Sequence, residues 1–171
     1  HQLFEKFDLL TDLKKLMNEF KSLSDDKGLE LKFKQSADES IIVADRYTVN
    51  QIFQNLINNA IKYTLKGYVE VFVRNESDNK VRVEIRDSGI GMSDEYLKKI
   101  FTPFSQEDVG YKREFEGNGL GLALVKKYVE LNKAEIEVES EKSIGSVFSV
   151  TFDLSVNFDD EAQVKKYSKY Q

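Results

Sequence analysis

The stretch from Asp45 to Thr64 constrains the fold more than any other part of the sequence. Its apolar residues recur at helical spacing and predict an amphipathic helix with one broad buried face, formed by Val49, Ile52, Phe53, Leu56, Ile57, Ala60 and Ile61. At about 100° per residue, Asn55, Asn59 and Lys62 fall within roughly 60° of one another, on a polar stripe beside that face. Carboxamide oxygens can ligate a hard cation, and amide or ammonium groups can bind phosphate, but an ordinary solvated edge explains the same stripe.

The overall composition narrows the chemistry that the chain can support. With 171 residues, 40% of them hydrophobic and 32% charged, the sequence fits one globular domain with a sizeable core. It contains no cysteine, and its single histidine is His1, so thiolate sites, histidine metal sites and cysteine nucleophiles are excluded. A net charge of −5 argues against nucleic-acid binding over a broad surface. No apolar run approaches the ~20 residues of a membrane span, and no signal peptide is visible.

The rest of the chain alternates between helical and strand patterns. Further helices are predicted over residues 7–27 and 94–100 and after Gly117, and strands over residues 29–35, 41–43, 68–74, 80–87, 135–140 and 146–154. Residues 105–116 are polar and aperiodic, which is typical of a surface loop. The pattern predicts an α+β two-layer sandwich, with helices on one face of a mixed, mostly antiparallel sheet.

Two glycine clusters stand at the ends of these elements. Asp87 ends a strand and is followed by Gly89 and Gly91, which permit a sharp turn and a close approach of a flat ligand. A carboxylate held there accepts well from the exocyclic amine of adenine, although a plain glycine turn explains the same residues. The second cluster, residues 117–121, precedes a helix and can present backbone N–H groups to phosphate or serve only as a hinge. It is neither a Walker loop nor a dinucleotide fingerprint, because it lacks the following Gly-Lys-Ser/Thr and the parallel βαβ context.

Five short motifs occur in a fixed order: Asn-x-x-x-Asn-Ala-x-Lys-Tyr-Thr, Asp-x-Gly-x-Gly, Phe-x-Pro-Phe, Gly-x-Gly-Leu-Gly-Leu and Gly-Ser-x-Phe. Together they resemble the catalytic ATP-binding domain of bacterial two-component sensor histidine kinases. That family belongs to the GHKL group, whose Bergerat ATP-binding fold is shared with gyrase-type, mismatch-repair and chaperone ATPases. The resemblance implies a linker remnant at residues 1–6, the catalytic domain at residues 7–154 and a polar tail or linker at residues 155–171.

The resemblance implies ATP and Mg²⁺ as cofactors and gives each motif a role. Asn55, Asn59 and Lys62 would be catalytic, with Asn59 as the Mg²⁺ ligand. The further nucleotide-binding residues that it implies are Tyr63, Asp87, Gly89, Gly91, Phe101, Phe104, Lys112, Arg113, Gly117, Gly119, Leu120, Gly121, Leu122 and Ser146.

Among these residues, Asp87 would bind the adenine amino group. Phe101 and Phe104 would anchor the near end of a lid over residues 105–116. Inside that lid, Lys112 and Arg113 are candidates for phosphate contact, and solvated lid charges explain them equally well. The glycines of residues 117–121 would form the far hinge and the phosphate cradle.

Three positions depart from the family pattern. Ser143 replaces the first glycine of the last motif, Asn118 stands where threonine is common, and Lys133-Ala134 stands where a glycine pair is common. None of these changes removes an implied ligand.

The residue type at position 55 bears on whether the domain transfers the phosphoryl group of ATP or hydrolyses ATP. Hydrolysing relatives carry a glutamate there that activates water, and a carboxamide cannot take up that proton at neutral pH. The resemblance implies that a histidine on a dimerisation domain of the same protein is the phosphoryl acceptor, and that a response regulator or receiver domain follows in the relay. His1 does not fit the acceptor motif and is interpreted as a linker residue.

The resemblance also implies how the chain is used. The isolated domain is expected to be monomeric, the full-length protein a homodimer, and the domain a cytoplasmic part of a membrane-bound sensor. Two alternatives stay open from the sequence: an ATP-sensing interaction module without transfer activity, and a GHKL serine kinase of the anti-sigma type.

Overall fold

The computed structural model describes residues 3–77, 79–102 and 121–157. In chain order, the elements are β1 (Phe4–Asp8), α1 (Leu9–Asp26), β2 (Glu30–Gln35), β3 (Ile41–Asp45), α2 (Arg46–Lys62), β4 (Tyr68–Ser77), β5 (Lys80–Asp87), α3 (Asp94–Leu97), α4 (Gly121–Leu131), β6 (Glu135–Glu141) and β7 (Gly145–Asp153), followed by a 3₁₀ turn at Ser155–Asn157. None of the helices in these residues is long and apolar enough to cross a bilayer.

The strands form two sheets. The five-stranded sheet has the order β2-β4-β5-β7-β6, and β1 pairs separately with β3. Strands β2 and β4 run parallel, whereas the pairs β4–β5, β5–β7 and β6–β7 are antiparallel. The predicted α+β sandwich with a mixed, mostly antiparallel sheet is confirmed.

The core lies between the five-stranded sheet and the helices. Alternate residues of the central strands are buried on the helix-facing side: Val69, Val71, Val73, Val81, Val83, Ile85, Phe148, Val150 and Phe152. Helix α2 packs on β4 and β5 and also contacts α1 and α4. This arrangement holds the polar stripe of α2 beside one end of the sheet.

Strand β1 was not predicted from the sequence. The predicted helix starts at Phe7, but α1 begins at Leu9, where Asp8 caps it by accepting a hydrogen bond of 3.0 Å from the Leu10 amide. Phe4 and Phe7 are both buried, and their spacing of three imitates a helical repeat. In a strand, that spacing places the two rings on opposite faces, so β1 is covered on both sides.

Both ends of α2 are fixed by side chains. Asp45 caps its start by accepting from the Thr48 amide at 2.9 Å. At its other end, the Lys27 ammonium donates to the carbonyl oxygens of Ile61 (2.7 Å) and Lys62 (3.2 Å). These two caps satisfy backbone groups that the helix leaves unpaired, and they fix where its polar stripe lies.

Two of the departures from the family pattern coincide with unusual backbone geometry. Lys133 and Ser143 have φ angles of 55° and 70°, and they are the non-glycine residues with positive φ in the described part of the chain. Glycine adopts this left-handed conformation without steric cost, which explains why the family commonly has glycine there.

Candidate nucleotide site

A pocket opens where α2, α4, the loop after β5 and the ends of β5 and β7 meet. Its volume is about 590 Å³, counted with the open solvent at its mouth. It is lined by Asn59, Ala60, Tyr63, Asp87, Ile90, Gly91, Met92, Tyr96, Leu122, Ser146 and Phe148. A mostly apolar pocket with a few convergent polar groups suits a flat heteroaromatic ligand.

The polar stripe of α2 lies at the rim of this pocket. Asn55, Asn59 and Lys62 are all half-buried, between fully buried positions and the exposed side of the helix, as the spacing predicted. Asn59 lines the pocket, and among the described residues nothing hydrogen-bonds to its carboxamide. Asn55 donates to the Gln51 carbonyl at 2.8 Å, and its Oδ1 faces the first residue of α4, Gly121.

Asp87 is the carboxylate of the pocket. It stands at the end of β5, and its Oδ1 accepts from the amides of Gly89 (2.9 Å) and Ser146 (3.2 Å). Both hydrogen bonds end on the same oxygen, so within the described residues Oδ2 is left for a ligand. Burial raises the pKa of Asp87 to about 6, and the two backbone hydrogen bonds lower it only in part.

The backbone packs too closely around this carboxylate for a Cβ at Gly89, Gly91 or Gly145, and the last two also have a positive φ. Gly91 has a φ of 68°, and a Cβ there would collide with the Glu141 carbonyl group. Gly145 has a φ of 144°, and a Cβ there would collide with the carbonyl group of Asp87 itself. The loop after β5 and the β6–β7 turn therefore pack backbone against backbone.

Hydrogen bonds hold the loop after β5 from both sides. The Ile90 amide donates to the Tyr63 carbonyl at 3.2 Å, and the Ile90 carbonyl accepts from the Ser143 amide at 2.7 Å. Tyr63 thereby joins the end of α2 to the pocket, and burial raises the pKa of its hydroxyl group. The loop after β5 is thus fixed between the C-terminal end of α2 and the β6–β7 turn.

The structure brings part of the predicted set into the pocket wall: Asn59, Tyr63, Asp87, Gly91, Leu122 and Ser146. Four predicted residues do not line the wall: Asn55, Lys62, Gly89 and Gly121. Of these, Gly89 lies against the wall residues Tyr63 and Asp87, and Asn55 lies beside Gly121. Phe101 packs against the core instead, with the Lys126 ammonium 5.9 Å from its ring centroid. Phe104, Lys112, Arg113, Gly117, Gly119, Leu120 and the lid of residues 105–116 lie outside the described residues.

Five wall residues were not predicted: Ala60, Ile90, Met92, Tyr96 and Phe148. The sequence did contain a signal for most of them. Ala60 and Phe148 belong to the first and last motifs, and Ile90 and Met92 lie within or next to Asp-x-Gly-x-Gly. Tyr96 lies on the short helix α3, and its place in the wall depends on how α3 packs against the core.

The fold and the pocket together define a class of nucleotide-binding domain. The chain belongs to the family described as histidine kinase-, DNA gyrase B-, and HSP90-like ATPase, whose family model matches residues 44–156.

Individual relatives narrow this class. The autoinducer 2 sensor kinase/phosphatase LuxQ of Vibrio parahaemolyticus is 36% identical over 151 residues, which cover 85% of this chain and 18% of LuxQ. The solved catalytic domain of histidine kinase ThkA is 25% identical with a TM-score of 0.76, covering 88% of this chain and 95% of that one. Full-length ShkA in complex with AMPPNP is 26% identical with a TM-score of 0.78, covering 89% of this chain and 31% of that one. The chain thus spans about a fifth of the length of its LuxQ relative and nearly all of a histidine kinase catalytic domain.

Proposed function

We propose that this chain binds Mg·ATP in the pocket and transfers the γ-phosphoryl group to a histidine on a separate domain of the same protein. The observation that carries the proposal is Asp87, which lines a largely apolar pocket and has its Oδ1 held by two backbone amides, while no described residue hydrogen-bonds to its Oδ2. Such a carboxylate suits the exocyclic amine of adenine. A related protein in complex with AMPPNP supports the choice of nucleotide.

The donor set of the pocket fits a magnesium ion that arrives with the nucleotide. No group of three or more Asp, Glu, His or Cys side chains that could hold a metal occurs among the described residues. Asn59 offers one neutral oxygen at the pocket wall, and Mg²⁺ is commonly held by one or two protein ligands together with substrate phosphates. When bound, the ion neutralises charge on the phosphate oxygens.

The polar groups of the site favour transfer over hydrolysis. Asp87 is the one carboxylate in the described pocket wall, and it lies beside the proposed adenine site. Asn55 is fixed by its bond to the Gln51 carbonyl and offers no base for activating water. Bound ATP is therefore expected to persist until an acceptor histidine enters, because the site's own residues bind and orient the nucleotide without supplying a nucleophile.

The partners follow from the same proposal. A dimerisation and phosphoacceptor domain of the same protein supplies the histidine, and a response regulator or receiver domain takes the phosphoryl group onward. The isolated chain is a monomer and the full-length protein a homodimer. The similarity to a sensor kinase supports placement of the domain on the cytoplasmic side of a membrane-bound sensor.

The direct test is an ATP titration of the chain by calorimetry with and without Mg²⁺. We expect Asn59→Ala to weaken Mg·ATP binding about 10-fold or more and to change metal-free ATP binding little, because the substitution removes the proposed metal ligand. Asn58→Ala is the matched control, since Asn58 is the exposed neighbour on the same helix. Equal Mg·ATP affinity in Asn59→Ala and the native chain would refute the metal assignment.

Transfer is tested by adding the histidine-containing helical domain of the same protein and ATP labelled in the γ-phosphoryl group. The expected product is an acid-labile phosphohistidine on the added domain, formed without comparable release of inorganic phosphate. ATP binding without labelling of the added histidine would instead identify an ATP-sensing module.

A further inference from the structure

A row of polar side chains closes the helix-facing side of the sheet at the nucleotide pocket. Asp87 on β5 pairs with Ser146 on β7, and Ser146 pairs with Ser140 on β6. Cross-strand neighbours point to the same face, so the three side chains lie side by side. The next rows toward the core are apolar, beginning with Ile85, Phe148 and Val138.

Ser140 is the member of this row that does not line the pocket. Its Oγ accepts a hydrogen bond from the Met92 amide at 2.8 Å and lies 2.7 Å from the Oγ of Ser146. It can also donate to the Gly145 carbonyl at 3.1 Å. Met92 and Ser146 both line the pocket, so one hydroxyl group behind the wall contacts two of its residues.

A hydroxyl group has one hydrogen, so the hydrogen bond between Ser140 and Ser146 can run in one of two directions. In the first, Ser140 donates to Ser146, and the Ser146 hydrogen is free to point into the pocket. In the second, Ser146 donates to Ser140, Ser140 donates to the Gly145 carbonyl, and Ser146 presents only lone pairs to the pocket. Adenine carries an acceptor, ring nitrogen N1, next to its amino group, so the first direction suits adenine and the second does not.

We propose that Ser140 is a positioning residue that sets the Ser146 hydroxyl as a donor toward the N1 edge of adenine, directly or through one water. The assignment rests on the proposed function, because it takes the occupant of the pocket to be an adenine nucleotide. Asp87 accepts a hydrogen bond from the amino group, and Ser146, oriented by Ser140, donates to the neighbouring ring nitrogen. Donation into Ser146 also strengthens the bond that Ser146 gives, since linked hydrogen bonds polarise one another.

The test compares Ser140→Val with Ser140→Thr. The two new side chains have the same shape, and Val has a methyl group where Thr keeps the hydroxyl group. Affinities for ATP and for 1-deaza-ATP, in which N1 is replaced by CH, are measured by calorimetry. We expect Ser140→Val to weaken ATP binding roughly 3- to 10-fold and to change 1-deaza-ATP binding less than about 2-fold. Ser140→Thr should restore the native ratio between the two ligands.

The control variants separate positioning from a general loss of structure. Ser149→Ala removes a buried hydroxyl group from β7 on the opposite face of the sheet, and its ligand ratio should equal that of the native chain. Ser140→Ala repeats the test without the added methyl groups, in case Ser140→Val does not fold.

The outcomes distinguish the two proposals. An equal weakening of both ligands by Ser140→Val and Ser140→Ala, or no weakening at all, would overturn the role of Ser140 while leaving ATP binding by the native chain intact. Absence of adenine-nucleotide binding by the native chain would overturn the proposed function, and the role of Ser140 with it.

Discussion

Two carboxylates on strand β5, three residues apart, have opposite environments. Glu84 lies on the outer face of the sheet and Asp87 on the face toward the helices, because side chains alternate along a strand. Both are largely shielded from water, with Glu84 only 5% exposed. Burial raises the pKa of Asp87 to about 6. Burial also acts to raise the pKa of Glu84, but nearby arginines outweigh it and the net pKa is lowered.

The difference lies in the partners of the two groups. Glu84 accepts from Arg86 at 2.7 Å and from Arg82 at 3.3 Å, and Arg74 stands 3.9 Å away. Asp87 accepts from two backbone amides, and no cationic side chain among the described residues offsets its burial. Glu84 is therefore satisfied by the protein itself, whereas Asp87 is left for a ligand, and a buried carboxylate without a cation marks the functional site.

The largest effect is expected on nucleotide affinity when Asp87 loses its negative charge. Asp87→Asn can keep Oδ1 as the acceptor for the Gly89 and Ser146 amides. It places an amide NH₂, which is a donor, in the position of Oδ2, where the adenine amino group needs an acceptor. We expect ATP affinity to fall about 100-fold, equivalent to ~2.7 kcal/mol, measured by calorimetry.

Two comparisons show whether that loss comes from the adenine contact. Asp94→Asn removes an exposed carboxylate near the pocket and should leave ATP affinity unchanged. The triphosphate of purine riboside lacks the amino group, so Asp87→Asn should not weaken its binding further. A native-like ATP affinity in Asp87→Asn would disprove the role of Asp87.

The second-largest expected effect is on the free energy of unfolding, and it concerns Glu84. Glu84→Gln leaves Arg82 and Arg86 without their shared negative partner, and we expect a loss of about 2 kcal/mol in the free energy of unfolding at pH 7. ATP affinity should stay native, because the outer face does not contact the pocket. Unfolding in urea, followed by circular dichroism, measures the change.

The matched control for Glu84→Gln lies on the same network. Glu137 is also 3.4 Å from the guanidinium of Arg82, but its side chain is 64% exposed. Glu137→Gln should cost much less than Glu84→Gln, because solvent screens an exposed ion pair. Equal losses from the two substitutions would show that burial of Glu84 adds nothing to the network.

The sequence was sufficient for most of the fold and for the inner carboxylate. Alternation in Lys80–Asp87 predicted β5 with its observed limits, and the glycines after Asp87 marked the pocket. It could not predict β1, because Phe4 and Phe7 are buried on opposite sides of a strand and their spacing imitates a helix. Such double-sided burial depends on tertiary packing, which no local period encodes.

Side-chain partnerships were harder to predict than elements. Ser140 belongs to none of the sequence motifs, and its place beside Ser146 depends on the register of β6 against β7. The ion pairs of Glu84 with Arg82 and Arg86 connect i and i+2 positions on one strand, and their importance depends on how deeply the outer face buries Glu84. The predicted contacts of the lid, from Lys112 and Arg113, remain predictions.

The smallest expected effect is a pH-dependent gain in stability for Asp87→Asn without nucleotide. The pKa of Asp87 in the folded state, about 6, lies above its ordinary value of 3.8, so the folded protein binds a proton more tightly than the unfolded chain. The native chain therefore loses stability as the pH rises through about 6, because an unpaired carboxylate must then be charged within the pocket. Asparagine carries no charge at any of these pH values. Urea unfolding at pH 8 should show Asp87→Asn to be more stable than the native chain by on the order of 1 kcal/mol.

The pH profile of this difference is what identifies its cause. The advantage of Asp87→Asn should shrink as the pH falls below 6 and vanish below the ordinary pKa, where both states of the native chain are protonated. The pH dependence of Glu84 has the opposite sign. Because the pKa of Glu84 is lowered in the folded state, charged Glu84 stabilises the fold at pH values above its ordinary pKa, and acidification removes this stabilisation. Because Glu84 is present in both proteins, its contribution cancels in the difference between them. A constant difference from pH 4 to pH 8 would therefore mean that the charge of Asp87 costs the empty pocket nothing, and that its burial does not distinguish it from Glu84.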